Sequence, residues 1–190
     1  MPKRIRTFIA VEIAAPVREQ LVTLQETLRE AAGEVKWVEP QNLHLTLKFL
    51  GEVDETELYA VCKSAQQAVA DTAAFTMQVA GVGAFPDPRR PRVIWAGIRE
   101  GADELIFLHD LLEEEFRSHG YPREDRAFTP HLTLGRARQP KPTPQLARAF
   151  EELADWDGGA TLVREILIMS SQLTPSGPIY TVIGRGRFQE

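Results

Sequence analysis

Apolar and polar residues alternate along this chain in two periods, and the switches between them divide it into elements. Ile5 to Ile13 is a run of apolar and β-branched residues that predicts a buried strand. Pro16, suited to a first helical turn, opens a stretch in which Val17, Leu21, Leu24 and Leu28 recur at helical spacing until Gly33. Val35 to Pro40 is short and extended. A strictly alternating segment, Asn42-Leu-His-Leu-Thr-Leu-Lys-Phe-Leu-Gly51, predicts a half-buried strand. Asp54 is placed as a helix N-cap, with Glu57 completing a capping box, before the stripe Leu58, Val61, Ala65 and Val69. Two strands are expected over 75–85 and 92–99, joined by the proline loop Pro86 to Pro91. Asp103 opens a helix carrying Leu105, Leu108, Leu111, Leu112 and Phe116, which closes near Gly120. A loop over 121–130 leads into Thr129-Pro-His-Leu-Thr-Leu-Gly-Arg136, a second alternating strand. Pro140, Pro142 and Pro144 mark a further loop, followed by a helix over about 143–154 and two terminal strands over about 161–173 and 180–188.

The two alternating strands share the phrase His-Leu-Thr-Leu, at His44 and again 87 residues later at His131. The same offset lays Trp95 on Phe8, Ile98 on Val11, Leu108 on Leu21, Gly120 on Gly33 and Ile166 on Val79. Strand, helix, glycine stop and His-Thr strand therefore recur in register, followed again by helix then strand. With only two copies of about 90 residues, this is duplication of a half-domain and not a solenoid. The expected body is one bilobal domain over 1–190, built from half-repeats of about 1–87 and 88–174. Some strands are joined by short loops and some through helices. That mixture predicts an α/β fold of the α+β type, with two mainly antiparallel sheets lining a central groove and helices on the outer faces.

Composition narrows the setting more than the chemistry. A chain of 190 residues, 43% hydrophobic and 26% charged, is that of an ordinary globular domain. It has no apolar run near the length of a membrane span and no signal-peptide pattern, and its one cysteine, Cys62, fits a reducing compartment. A cytoplasmic monomer without membrane attachment is expected. The net charge of −5 argues against a coat for long nucleic acid, yet leaves room for a local cationic pocket.

The repeated phrase supplies the candidate chemistry. Residues i and i+2 of a strand share a face, so each copy presents an imidazole beside a hydroxyl: His44 with Thr46, and His131 with Thr133. Of two facing imidazoles, one can be neutral while the other is protonated, which supplies a general base and a general acid together. The hydroxyls suit the non-bridging oxygens of a tetrahedral anion. A catalytic zinc usually takes three protein ligands, and neither motif strand carries a carboxylate or cysteine on this face, so no metal or other cofactor is expected. His109 and His119 fall in a helical pattern opposite Val22 and Ala32 of the first half, and both read as solvated helix residues.

These residues resemble a known family. The paired His-x-Thr motifs, Lys-Phe-Leu-Gly after the first, Gly-Arg after the second, and the duplicated halves look like the two-histidine phosphoesterases. Within these they are most similar to the RNA 2′,3′-cyclic phosphodiesterases, also called 2′-5′ RNA ligases. The resemblance implies metal-independent hydrolysis of a terminal 2′,3′-cyclic phosphate to a 2′-phosphate, with reversible 2′-5′ ligation, acting on RNA ends or small cyclic nucleotides. It implies His44 as proton donor, His131 as proton acceptor, Thr46, Thr133 and Arg136 as phosphate ligands, and Phe8 as the aromatic that stacks on the terminal base. A sibling activity on ADP-ribose 1″,2″-cyclic phosphate and a non-catalytic RNA-end or nucleotide-binding module are the alternatives. Two points follow from strand geometry. Arg136 is five residues from His131, so a bulge at Gly135 is needed to bring it to the histidine face. Lys48, four residues from His44, is expected on that face, reaching the anion or a rim salt bridge. Phe8 and its duplicate Trp95 each suit either the core or a base platform, and Arg89, Arg90 and Arg92 read as a solvated loop.

Overall fold

Strands from the first and second halves of the chain are interleaved in the sheet. The computed structural model describes residues 2–138 and 143–189, so the loop prolines Pro140 and Pro142 lie outside the described residues. In chain order the elements are β1 (Arg4–Val11), α1 (Ala15–Ala31), β2 (Val35–Trp37), β3 (Leu45–Asp54), α2 (Leu58–Val69), β4 (Phe75–Phe85) and β5 (Val93–Ile98). Then come α3 (Ala102–Ser118), β6 (His131–Ala137), α4 (Pro144–Glu152), β7 (Asp157–Val163), β8 (Glu165–Thr174) and β9 (Gly177–Arg187). One lobe carries the order β3-β1-β8-β9, the other β7-β4-β5-β6 with β2 beyond β6, and every ladder between these strands is antiparallel. Thus β1 of the first half pairs with β8 of the second, and β5 of the second with β4 of the first.

The lobes join at one ladder pair, Leu45 with Leu132. Hydrogen bonding therefore makes the two expected sheets a single curled sheet of nine strands, hinged at that pair. Leu45 and Leu132 are themselves separated by the offset of 87, so equivalent positions of the two His-Thr strands meet at the seam. Continuing the antiparallel register by one residue sets His44 towards Thr133 and Thr46 towards His131.

Alternation decides which side of the sheet each residue serves. Leu45, Leu47, Leu132 and Leu134 are almost fully buried and join the stripes of α1 (Val17, Leu21, Leu24, Leu28) and α3 (Leu105, Leu108, Leu112, Phe116) in one core. Each such leucine contributes roughly 1.5–3 kcal/mol by leaving water. With the leucines committed to the helix side, the intervening histidines and threonines face the inter-lobe groove. The helices fall where the spacing predicts, and α1 and α3 span ranges separated by the same offset. Asp54 accepts the Thr56 amide as a cap, although the first turn after it, Glu55–Glu57, is 3-10. α3 begins one residue before Asp103, behind Gly101, whose φ of +82° is one that L side chains rarely adopt. The expected strand over 161–173 is two strands, β7 and β8, parted at Arg164 and serving different lobes.

Candidate active site in the inter-lobe groove

Both histidines are held by their own motif. His44 donates from Nδ1 to the Asn42 carbonyl at 2.6 Å, and His131 donates from Nδ1 to the Thr129 carbonyl at 2.7 Å. With Nδ1 committed to a carbonyl, each neutral ring carries its proton there and keeps the lone pair on Nε2. Nε2 of His44 lies 2.8 Å from Thr46 Oγ1, whose hydroxyl can donate to it. The turn before His44 is itself pinned: Arg18 donates to the Pro40 and Leu43 carbonyls at 2.6 and 3.1 Å, and Asn42 donates to Pro178 at 3.0 Å. Aromatic rings back both imidazoles. Phe8 and Tyr180 lie 5.0 and 5.3 Å from the His44 ring, and Phe85 lies 5.0 Å from His131, edge-on. His44, Thr46, His131 and Thr133 together line a groove of about 320 Å³.

A bulge follows each motif and determines what comes next on the groove face. In β6, Trp95 pairs with Thr133 and Ile94 with Gly135, so Leu134 is left out of the register. The parity of the strand flips there, one residue before the expected Gly135, and Arg136 lines the groove. Glycine stands at 135 because β2 crosses closely: a Cβ there would come within 2.6 Å of Val35 and 3.0 Å of Trp37. In β3, Ala10 pairs with Thr46 and Ile9 with Lys48, so Leu47 is left out in the same way.

That second bulge corrects the expectation for Lys48. It turns Lys48 away from the groove to the helix side, where its Nζ lies 2.5 Å from Glu113 Oε1 of α3 and the two side chains are 1% and 3% exposed. Lys48 is therefore a buried structural cation. Phe49, 53% exposed, takes the groove position that Arg136 holds in the other half.

Phe8 lines the groove floor but is only 3% exposed. Its ring packs against His44, Phe49 and Tyr180 at 5.0, 6.0 and 5.0 Å, so it buttresses His44 and has no open face for a base. The remaining aromatic lining comes from residues the sequence reading passed over: exposed Phe49 and half-buried Tyr180 and Phe128. Arg6 adds a second cation beside Arg136, and Glu124 a carboxylate at the rim. Phe49 could have been found by laying it on Arg136 at the offset of 87. Tyr180, in a terminal strand outside the repeat, carried no such signal. His109 also departs from the solvated reading, being 6% exposed, bonded to the Leu47 carbonyl and stacked on Phe128. His119 sits at the solvated end of α3 as expected.

Burial lowers the pKa of both motif histidines. For His44 desolvation dominates, opposed by the Asn42 carbonyl and assisted by the positive charge of Arg18. For His131 desolvation again dominates, opposed by the Thr129 carbonyl and assisted by Arg136. Tyr180 is pushed upward by burial, with Arg136 and Arg6 pulling the other way, so both arginines act on the same patch of the groove. The groove thus combines two imidazoles with lowered pKa values, two hydroxyls and two guanidinium groups, a set suited to an anionic phosphoester. Among the described residues no group of three or more His, Cys, Asp or Glu side chains is disposed to hold a metal ion, and no helix is long and apolar enough to cross a membrane.

Comparison with known proteins agrees with this chemistry. A model described as LigT-like phosphoesterase matches the chain twice, over residues 11–95 and 97–180. Similar curated proteins include one from Methanothermobacter thermautotrophicus, 38% identical over 94% of this chain and 96% of its own. Another, from Thermotoga maritima, is 36% identical over 97% and 96%; both are named RNA 2′,3′-cyclic phosphodiesterase. Among solved structures, TT0787 of Thermus thermophilus superposes with a TM-score of 0.79 at 31% identity, covering 96% of this chain and 97% of its own. Escherichia coli LigT complexed with 3′-AMP superposes with a TM-score of 0.79 at 27% identity, covering 99% and 100%. The fold and groove define a two-histidine phosphoesterase. The chain belongs to the LigT-like phosphoesterase family.

Proposed function

We propose that the protein is an RNA 2′,3′-cyclic phosphodiesterase that opens the cyclic phosphate to a 2′-phosphate by acid–base catalysis without a metal. The observation that carries this reading is the pair of imidazoles in one groove, each tied at Nδ1, with Nε2 of His44 beside the Thr46 hydroxyl. Its relatives' names support the substrate class. Thr46, Thr133 and Arg136 hold the non-bridging phosphate oxygens. His131 Nε2 takes a proton from water as the water oxygen attacks phosphorus. The P–O3′ bond breaks, and His44 Nε2–H protonates the departing 3′ oxygen. One proton enters at His131 and one leaves at His44, so solvent exchange resets the pair. If the 5′-hydroxyl of a second RNA end replaces water, the same steps form a 2′-5′ linkage, and in the reverse step the 3′-hydroxyl attacks that linkage, releases the 5′-hydroxyl and regenerates the cyclic phosphate. The two lobes, on this reading, descend from duplication of a segment of about 1–87, and the second copy specialised through Arg136 where the first holds Phe49.

The depressed imidazoles set the pH dependence. The active form needs His44 protonated and His131 neutral, so kcat/KM of the free enzyme is bell-shaped, bounded by the two histidine pKa values. Both lie below the ordinary value of about 6.5. The maximum is therefore expected on the acid side of pH ~6.5, with activity declining as the donor loses its proton at neutral pH. A kcat/KM profile still rising above pH ~7.5 would contradict the assigned protonation states.

The experiment for the function is turnover of 2′,3′-cyclic AMP in excess EDTA with the product resolved by chromatography. The expected product is 2′-AMP at the rate seen without chelator. Loss of activity on chelation would remove the metal-free mechanism. Turnover of ADP-ribose 1″,2″-cyclic phosphate with the RNA-type substrate inert would move the assignment to that sibling reaction.

A further inference from the structure

Gln25 and His109 do not line the groove, yet each sends a buried polar group to the same place in its half of the site. Gln25 of α1, 3% exposed, donates from Nε2 to the carbonyl of Leu134 at 2.9 Å and to that of Val38 at 2.9 Å. His109 of α3, 6% exposed, donates from Nδ1 to the carbonyl of Leu47 at 2.7 Å. Leu47 and Leu134 are the residues left out of the pairing of β3 with β1 and of β6 with β5. A bulged residue is released from that ladder, and the bonds made elsewhere by its peptide fix where it sits. The Leu134 carbonyl also accepts the Val38 amide at 2.9 Å, so Gln25 ties this bulge and Val38 together to α1.

Neither pin is inherited from the repeat. At the offset of 87, Gln25 corresponds to Leu112 and His109 to Val22, so the two halves reach equivalent carbonyls from different turns of their helices. Apolar side chains fill those positions in the opposite half, and a buried amide or imidazole is costly unless it is bonded. Two separate polar solutions to one geometrical problem indicate that the problem matters. What each bulge controls is local: Thr46 stands before one and Phe49 after it, and Thr133 and Arg136 stand in the same relation to the other.

We propose that Gln25 and His109 are positioning residues that pin the two bulges and thereby hold Thr46, Phe49, Thr133 and Arg136 in the arrangement that receives the phosphate. This rests on the reading of the groove as a phosphodiester site. A merely structural role is separable because the His109 ring does a second job, stacking on Phe128 with centroids 4.2 Å apart and planes 7° apart. His109→Asn keeps a donor near Nδ1 and loses the ring. His109→Phe keeps a ring against Phe128 and loses the donor. Gln25→Met keeps length and loses its donors.

The test measures kcat and KM on 2′,3′-cyclic AMP for these variants, well below their melting temperatures, together with those melting temperatures. His109→Phe and Gln25→Met are each expected to lose roughly tenfold or more in kcat, since sub-ångström misplacement of ligands is felt in the transition state. His109→Asn is expected to stay within roughly threefold of the wild-type kcat, because the bond that pins the bulge remains, even though it melts no higher than His109→Phe. The proposal is overturned if kcat follows melting temperature, with His109→Asn as impaired as His109→Phe, or if His109→Phe and Gln25→Met keep the wild-type kcat. Should the wild type turn over no cyclic nucleotide, the functional reading fails on its own, and the pins are judged by affinity for 2′-AMP. The same order of variants is then expected, and equal affinities overturn the proposal.

Discussion

His44→Ala and His131→Ala are each expected to lower kcat for hydrolysis of 2′,3′-cyclic AMP by about 10²–10⁴-fold, the usual worth of one positioned proton-transfer group. KM is expected to change much less, because the proposed phosphate ligands, the threonines and Arg136, remain. Combining the two replacements costs far less than the product of the single effects, since a site lacking either proton transfer has already lost the concerted path. His44 directly precedes β3 and His131 opens β6, strands whose leucines fill the core, and both histidines line the groove, so their removal is expected to leave the fold intact. Steady-state kinetics beside circular dichroism checks this, and full activity in either variant removes the acid–base assignment.

Lys48→Ala and Glu113→Ala each destabilise the protein by roughly 3–5 kcal/mol, the cost of leaving one buried charge without its partner. The pair is 1% and 3% exposed, so solvent cannot take over the lost contact. Glu113 also accepts the Glu124 amide at 3.3 Å, and Lys48 reaches the Pro122 carbonyl at 3.4 Å. The damage therefore extends into the loop that carries Phe128 and leads to His131. Lys48→Met combined with Glu113→Leu restores most of the stability, because a well-packed apolar pair can replace a buried ion pair at little or no cost. Thermal unfolding measures the effect: single variants melt roughly 6–20 °C below wild type at this chain length, and the double variant well above either. Single variants that melt with the wild type would mean that Lys48 is solvated after all.

What could be read from the sequence and what could not divide at the bulges. The alternation around His44 and His131, the helical stripes of α1 and α3 and the offset of 87 are all local or repeated signals, and each appears in the structure at the residues expected. A bulge is a property of a pairing, and Leu47 looks like any other apolar strand residue until its partners in β1 are known. One residue of slip then exchanges the two faces of the strand, which is why Lys48 went to the core and Phe49 to the groove. The sequence did contain a clue: a bulge was needed to bring Arg136 to the histidine face, and the same bulge at the same offset places Phe49 there too. His109 and Gln25 were illegible for a related reason. On a helical wheel they are polar residues beside an apolar stripe, and only the carbonyls opposite them explain why they are buried. Phe8, which suited either the core or a base platform, is 3% exposed at the groove floor, and its burial beneath Phe49 and Tyr180 depends on β3 and β9, far away in the chain.

The two motifs carry a bulge at the same offset and are unlike in chemistry. Arg136 places a positive charge next to His131, while the equivalent position beside His44 holds the apolar ring of Phe49. Arg18, the cation that acts on His44, spends its guanidinium on the carbonyls of the preceding turn. A nearby cation favours the neutral imidazole, which suits the partner that must accept a proton, and the aromatic side suits the nucleoside whose 3′ oxygen departs.

The assignment of opposite roles to His44 and His131 is tested most directly with a cyclic substrate whose bridging 3′ oxygen is replaced by sulfur. A thiolate leaves without needing a proton, so the requirement for a general acid disappears while the requirement for a base remains. On this substrate His44→Ala should recover to near the wild-type rate and His131→Ala should stay impaired. Equal impairment of both variants, or rescue of His131→Ala alone, would contradict the mechanism proposed for this groove.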